Sequence, residues 1–442
     1  MSSTQALSTT DKWFRAYQAL DQSAGPDWMQ SLRENAANQL SASGLPHRKI
    51  EEWKYTPLRR LESLELPTRA ERDFPSVDAQ FPAAIAEPSA LVIDISDGAL
   101  QYRQETPDGL TINSLAEGLG KYEGRLKSLC EATDLNGPGR AFAALNTAFL
   151  DQGLLIHAGA DVKAGSILIR WAFAPSEAAR LDNFRVFVLL DAGAELAVIE
   201  QFESTVGTEN ALNVITQAEL GKGAVLEHVR VQLESDSSSL LTSTSIRQAA
   251  DSRYTYSGFD LGGGLVRHEI DATLTGPGAH ADIRGAFVLD GARYVDNHIS
   301  VDHVSAGCTS KQFFRGVLGG RSRGVFNGRA LIRAGADGSV VNQSNANLLL
   351  SGLAEMDTKP ELEIYADEVE ASHGATVGQL DEAAVFYLRS RGLSDAQARR
   401  MLTAAFCHAV TDQLEDRALA ERLAILLDEA MPGETSVHGR EG

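Results

Sequence analysis

The residues best equipped for chemistry lie in the last third of this chain. The run Ala371-Ser372-His373-Gly374-Ala375-Thr376 follows directly on Glu361, Glu363, Asp367, Glu368 and Glu370. An imidazole beside carboxylate oxygens is a ligand set for a divalent metal such as iron, so His373 is the leading metal candidate and Glu370 a weaker one. The bland reading of the acidic run is the exposed face of a final strand. Cys130, Cys308 and Cys407 are scattered and odd in number, which excludes a disulfide framework and a CxxC metal knuckle. Cys308 is a weak metal candidate, as a thiolate ligand or sulfur carrier, and its competing role is that of a small buried apolar side chain. Cys407 reads as helical core, and Cys130 has no polar partner within reach along the chain. His268, His298 and His303 sit in strand-like segments and read as solvated. Several catalytic signatures are missing: no GxxxxGK[ST] phosphate loop, no HExxH and no GxSxG, while Gly262-Gly263-Gly264 lacks a strand–GxGxxG–helix context.

These residues must be positioned by a chain of 442 residues, long enough for two or three domains. With 43% hydrophobic and 23% charged residues it can bury a sizeable core. Lys and Arg number 40 against 60 Asp and Glu, a net charge of −20, which disfavours nucleic-acid and anionic-membrane partners. No apolar run approaches the ~20 residues of a spanning helix. The N-terminal MSSTQALSTTDKWFRAYQAL has no signal pattern, so a cytoplasmic location is expected.

Residues 1–150 read as a mostly helical N-terminal domain. Pro26-Asp27 opens a helix with Trp28, Leu32, Ala36 and Leu40 on one face, closed by Ser43-Gly44 and Pro46. Residues 64–90 are Pro-rich and read as irregular. Leu91–Ile95 reads as a first strand, and 113–134 and 140–150 as helices. From about 152 the texture becomes β-branched alternation. Turn glycines recur at Gly165, Gly193, Gly223, Gly278, Gly307 and Gly335, about 28 residues apart if Asp251 fills the one empty place. Each is followed by a small residue: Ser166, Ala194, Ala224, Ser252, Ala279, Cys308, Ala336. A unit of this length holds two strands and two turns, and equivalent turns stacked at ~4.8 Å must be narrow. The prediction for 151–372 is a right-handed parallel β-helix of about eight coils, roughly 38 Å long at that spacing. Its last rung would present unpaired N–H and C=O groups beside His373, which a second subunit would cover. Residues 373–442 read as a C-terminal helical domain, with a capping box at Ser394-Asp395-Ala396-Gln397, a further helix over 416–430 and a disordered tail. The fold class is therefore mainly β with helical flanks.

Longer motifs carry a resemblance. Phe326-Asn327-Gly328, Asn345-Ala346-Asn347-Leu348-Leu349-Leu350, the stretch from Ala354 to Ile364, Ser372-His373-Gly374-Ala375-Thr376-Val377-Gly378 and Phe386-Tyr387-Leu388-Arg389-Ser390-Arg391-Gly392 are similar to the SufB/SufD family of iron–sulfur cluster assembly proteins. The stretch Arg48-Lys49-Ile50-Glu51-Glu52-Trp53-Lys54-Tyr55-Thr56 resembles the SufD branch. That resemblance implies a β-helix with helical flanks in a cytosolic scaffold with SufB-like and SufC-like subunits. It places the ATPase SufC on the C-terminal helices around 378–414, for which Phe386, Tyr387, Arg389 and Arg391 are the partner-binding candidates. His373 would lie at the SufB interface and act in cluster formation. Family members often carry cysteine two residues before this histidine; here it is Ala371, so the sulfur ligand would come from SufB. No cofactor is expected to be tightly bound by the isolated chain, with iron or a cluster held at the interface. The chain would be non-catalytic alone and able to pair with itself. Competing readings are a purely structural adaptor without a metal role, and a polysaccharide-active β-helix, which would normally be exported.

Overall fold

Period-two alternation over strands of six to eleven residues, interrupted by tight turns, builds two sheets that close on each other. The computed structural model describes residues 8–20, 25–66, 85–86, 90–96, 99–102, 105–172, 179–204 and 209–432. The irregular stretch expected at 64–90 lies largely outside these residues, and the expected tail disorder wholly outside them. Among the described residues, sixteen parallel strands from Gly153–Ala158 to Val369–Gly378 alternate between the two sheets, eight on each side, joined by seven full turns. The β-helix therefore stands as expected. Its first coil is extended by Leu91–Ser96, parallel to Lys163–Ala172, and closed by antiparallel Ala99–Tyr102 and Leu110–Ser114.

One parity of side chains on every strand fills the lumen, whose lower and middle coils are rich in apolar residues such as Val186, Val198, Ile283, Phe287, Val295 and Ile299. The other parity is covered from outside by helices. On one sheet, α1 (Thr9–Gln18), α2 (Asp27–Ser43), α4 (Ala141–Ala148) and Trp53 bury Trp13, Leu40 and Leu145 against Leu181, Leu241, Leu265 and Val325. Helix α3 (Leu115–Glu131) covers the start of that sheet with Tyr122 and Leu126 on Phe187 and Leu189. On the opposite sheet, α6 (Asp395–Thr411) and α7 (Arg417–Ala430) set Cys407, Val410, Leu423 and Leu427 on Val229, Phe259, Val288 and Val317. Each fully buried leucine here is worth about 1.5–3 kcal/mol relative to exposure. Short α5 (Glu382–Ser390) buries only Val385. The expected capping box at Ser394 is present, with Ser394 accepting from the Gln397 N–H and Gln397 accepting in return from the Ser394 N–H.

The repeat that revealed the coils is out of step at both ends. The strand registers align Asp161, Gly193, Gly223, Asp251, Gly278, Gly307 and Gly338 in one column, at steps of 27 to 32 residues. All seven have positive φ, between 60° and 73°. Each N–H donates to a turn carbonyl of the next coil at 2.6–3.3 Å. Asp251 fills its place as expected, because aspartate tolerates the left-handed region better than most residues. Gly165 and Gly335 do not belong to the column. Gly165 lies in a β-bulge between Lys163 and Ser166, where the register shifts. Gly335 lies three residues before the true member, in a turn lengthened by two residues. The small residue above Cys308 is consequently Ser339, also fully buried, rather than Ala336.

Candidate functional site: the open end of the β-helix

The last coil is built from Glu355–Ile364 and Val369–Gly378, and neither strand has a second neighbour among the described residues. The helices that cover the sheets do not cover this end: almost every residue of Val369–Gly378 is exposed. Alternation assigns each side chain. Val341, Gln343 and Asn345 are buried on the lumen side, and the register Gln343↔His373 puts His373 on that same face, one rung above Gln343. Glu370 pairs with Val340 and falls on the outer face, as does Ser372, whose hydroxyl accepts from Asn342 Nδ2 at 2.9 Å. His373 and Glu370 thus point to opposite sides of one strand and do not converge within the chain.

The remaining acidic run is likewise not gathered around the imidazole. On Glu355–Ile364 the inward residues are Met356, Thr358, Pro360, Leu362 and Ile364, and the acids lie outside. Glu363 is bound by Arg329 at 2.7 Å, Asp357 by Arg323 at 2.7 Å, and Glu361 by Lys359 at 2.7 Å. The bland reading of these acids is the observed one. Among the described residues no three His, Cys, Asp or Glu side chains come together as a metal cluster. A metal at His373 would need further donors from elsewhere.

Cys308 occupies the turn column two rungs below Val369, fully buried, with its thiol 3.4 Å from the Gly276 carbonyl. Burial pushes its pKa up, so it is held as a neutral thiol. Cys407 is equally sealed in α6, its thiol pushed up to about 12 by burial. Cys130, for which no polar partner was visible, lies 3.8 Å from a guanidinium nitrogen of Arg185, itself fully buried.

Two of the three histidines read as solvated are not, and the third, His298, is only partly exposed. His268 and His303 are completely buried in the lumen. His268 Nε2 lies 3.0 Å from Asp260 Oδ1 and its Nδ1 2.5 Å from Thr242 Oγ1; His303 Nε2 lies 2.8 Å from Ser310 Oγ. Burial pulls both pKa values down to about 4. His298 bonds Asp296 at 2.8 Å. The partners of His268 and His303 lie on a neighbouring coil or on the facing sheet, so no local spacing announces them, whereas His298 bonds Asp296 two residues away on its own strand.

Two groups escaped sequence reasoning. The first is a set of lumen amides just beneath the open end: Gln312, Gln343, Asn345 and Asn347, all buried. Their signal was the alternating Val341-Asn342-Gln343-Ser344-Asn345-Ala346-Asn347, polar on both parities where lower coils are apolar on one. The second is the anchor of the N-terminal motif. Thr56 Oγ1 donates to Asp296, Arg267 Nη1 bonds Asp296 at 2.5 Å and the Glu52 carbonyl at 3.0 Å, and the guanidinium lies 3.9 Å from the centroid of the Trp53 ring. The same segment reaches the last coil, where Lys359 bonds Glu51 at 2.5 Å.

The second candidate surface lies on α5. Phe386 and Tyr387 are 71% and 56% exposed. Arg391 lies 5.2 Å from the Tyr387 ring centroid and donates to its hydroxyl at 3.2 Å, while Arg389 pairs with Asp395 at 3.3 Å. Arg399 bonds Glu382 at 3.0 Å and fixes α5 to α6. Two large aromatic side chains left outside a helix that is itself anchored are characteristic of a protein-binding face.

Comparison with known proteins agrees with this architecture. Residues 173–406 match the family model described as SUF system FeS cluster assembly, SufBD core domain, and residues 7–168 match the SufBD protein N-terminal region. The chain is 28% identical to the iron-sulfur cluster assembly protein SufD of Escherichia coli over 441 residues, 96% of each chain. It is 29% identical to an iron-sulfur cluster assembly SufBD family protein of Synechocystis over 406 residues, 88% of each chain. It is 23% identical to the iron-sulfur cluster assembly protein SufD of Bacillus subtilis over 440 residues, 96% of this chain and 98% of that one. With two family models spanning nearly all of its β-helix, its N-terminal region and part of α6, the chain belongs to the SufB/SufD family of iron–sulfur cluster assembly proteins.

Proposed function

We propose that this chain is the SufD-like subunit of an SUF scaffold, pairing through the open end of its β-helix with a SufB-like subunit and docking a SufC-like ATPase on α5 and α6. It is non-catalytic alone, acts in the cytoplasm, and supports iron acquisition and cluster formation at the subunit interface, where His373 supplies a nitrogen ligand. The observation that carries this reading is the uncovered last rung, whose exposed backbone groups and lumen-facing imidazole lie side by side. An edge strand with free N–H and C=O groups is a ready template for another strand. A thiolate is a natural ligand for iron, and the neutral, buried Cys308 is a poor source, so the sulfur ligand comes from the partner. Alone, the chain would cover its open end with a second copy.

The experiment is co-expression with SufB-like and SufC-like subunits, comparing His373 with His373→Ala. The expected result is an intact complex with iron and sulfide content reduced several-fold. An intact complex with unchanged iron and sulfide would make the chain a structural adaptor without a metal role, a reading favoured by the register that turns Glu370 to the face opposite His373.

A further inference from the structure

Among the described residues, every large apolar side chain left exposed lies either on the C-terminal helices or on the last three coils of the β-helix. On the final coil they gather at its two corners. Ile364 and Tyr365 stand where Glu355–Ile364 turns into Val369–Gly378, and Leu350, Leu353 and Val377 stand at the opposite corner. Tyr365 and Leu353 are each 66% exposed. Between the corners the last strand is narrow: Ala371, Gly374 and Ala375 flank His373, and a Cβ built on Gly374 meets nothing within 4 Å. An edge with apolar ends and a narrow centre is shaped for a partner that lies flat along it.

The geometry of the edge selects the partner. Val340 N donates to Cys308 O in the coil beneath, so the stacked register leaves the backbone groups of Val369, Ala371, His373, Ala375 and Val377 pointing to the uncovered side. Two copies of this strand paired antiparallel are related by a two-fold axis normal to the sheet, which keeps their inner faces on the same side and lines the two lumens up. The rotation exchanges the ends of the strand. The corner of Ile364 and Tyr365 on one copy therefore comes down on the corner of Leu353 and Val377 on the other, and the reverse contact follows by symmetry. Apolar surface meets apolar surface at both ends. Odd-numbered residues face odd-numbered ones in two registers that keep nearly the whole strand paired: over 369–377, with His373 opposite its own counterpart, or over 370–378, with His373 opposite Ala375. Cα atoms of directly opposed bonded residues lie about 5.5 Å apart, and diagonal neighbours about 7–8 Å. Both registers bring two exposed imidazoles to one place on the lumen side.

A single chain brings no three metal-binding side chains together among its described residues, and Glu370 lies on the face opposite His373. A second copy adds the nitrogen that one chain lacks. We propose that the open end closes on a second copy of the chain in an isologous dimer, Tyr365 of each packing on Leu353 of the other, and that the two His373 imidazoles form a shared site for a divalent transition-metal cation across the axis. Imidazole nitrogens bind such an ion at about 2.0–2.1 Å, and two of them can share it across either separation while water completes its shell. The alanines at 371 and 375 leave the space that larger inward side chains would fill. Because the site exists only in the pair, metal binding and self-association strengthen each other. This rests on the reading of the last strand as a pairing edge and of His373 as a metal ligand, and it adds a self-paired state that holds metal without a sulfur donor.

The test is sedimentation velocity on the full-length, chelator-treated chain, repeated with Co(II) and read also by the visible ligand-field absorption of the ion. Wild type is expected to dimerise without metal, to bind one Co(II) per dimer, and to dimerise about tenfold more tightly with it. His373→Ala should still dimerise but gain nothing from Co(II) and develop no absorption. Tyr365→Ser with Leu353→Ser should keep the melting temperature yet weaken dimerisation about a hundredfold, as loss of two apolar anchors does. A monomeric wild type would overturn the pairing on which the site rests. Dimerisation unchanged by loss of both anchors would overturn the isologous packing. No Co(II) bound, one Co(II) per chain, or equal affinity in His373→Ala would overturn the shared site while leaving the pairing in place.

Discussion

Substituting Asp296 should release the N-terminal motif from the β-helix. Asp296 and Arg267 have side-chain exposures of 1% and 2%, and they are 2.5 Å apart. Asp296 also accepts from Thr56 and lies 2.8 Å from His298, and these partners hold its carboxyl well below the usual carboxylate range against the opposing effect of burial. In Asp296→Ala the guanidinium stays buried with one carboxylate, Glu269 at 2.7 Å, instead of two. Removing one partner of a buried pair costs about 3–5 kcal/mol, and the surviving Glu269 contact sets the expectation at the lower end, about 3 kcal/mol. Thr56→Val removes two hydrogen bonds to charged groups, one donated to Asp296 and one accepted from Arg267 Nη1 at 3.0 Å, and should cost about 1.5–3 kcal/mol. Because Thr56 and Asp296 bond each other and share Arg267, the two losses should not add: the double variant should cost less than the sum of the single ones. Urea denaturation followed by fluorescence of Trp53, which stacks on Arg267, reads the event where it happens. Hydrogen exchange at residues 50–56 separates release of the motif from global unfolding. An Asp296→Ala cost below about 1 kcal/mol, or strict additivity with Thr56→Val, would refute the reasoning.

Three further outcomes follow from the same physics. His268 is neutral in the fold, with a pKa near 4 against 6.5 when unfolded, so it contributes stability above pH 6.5 that is lost as pH falls from 6.5 to 4. The amount is about 3 kcal/mol, and His268→Gln should flatten the pH-dependence of urea midpoints by that much; identical slopes would contradict it. Arg185 is fully buried and held by Asn146 Oδ1 at 3.1 Å and Thr147 Oγ1 at 2.8 Å, with no carboxylate pairing to it among the described residues. Arg185→Met should therefore cost under about 1 kcal/mol by urea unfolding, while the smaller deletion Asn146→Ala, which strands the charge, costs more. Phe386→Ser with Tyr387→Ser should leave the melting temperature within about a degree, since surface changes usually stay inside ±0.5 kcal/mol, yet abolish pull-down of a SufC-like ATPase.

The coils were legible because a parallel stack forces one backbone conformation at every turn, and glycine or aspartate with positive φ marks it. Asp251 was inferred from spacing alone and has φ 60°. Asp161, with the same φ, was passed over because Gly165 lay nearby in a bulge. A glycine is evidence of conformational freedom, not of register. The lumen was less legible. Period-two alternation tells which residues share a face, and in an ordinary sheet polar residues on one face read as solvated. In a closed lumen the same pattern places His268 against Asp260 and Glu200 against His228, the latter pair 28 residues apart and joined at 2.8 Å. Glu200 and His228 are adjacent only after coils stack, and Asp260 and His268 only after consecutive strands face each other across the lumen. His373 was visible as a residue at a seam; its facing, and the divergence of Glu370 from it, required the register Gln343↔His373.

The two open strands are not equivalent templates. Hydrogen bonds from Glu355 N to Ser322 O and from Tyr365 N to Ile332 O show that the backbone groups of odd-numbered residues in that strand point back to the coil beneath. Alternation then turns the backbone groups of Met356, Thr358, Pro360, Leu362 and Ile364 toward the uncovered edge, while their side chains face the lumen. Pro360, having no N–H, deletes a donor at the middle of it, and the flanking outer faces carry Asp357, Lys359, Glu361 and Glu363. Proline and charge are the usual means of blunting an edge. By the same parity, Val340 N bonds Cys308 O in the coil beneath, and stacking places the edge-facing groups of Val369–Gly378 at Val369, Ala371, His373, Ala375 and Val377. That strand has no proline and two alanines beside the imidazole. A partner strand can approach it along its whole length, and where it does, it arrives next to His373.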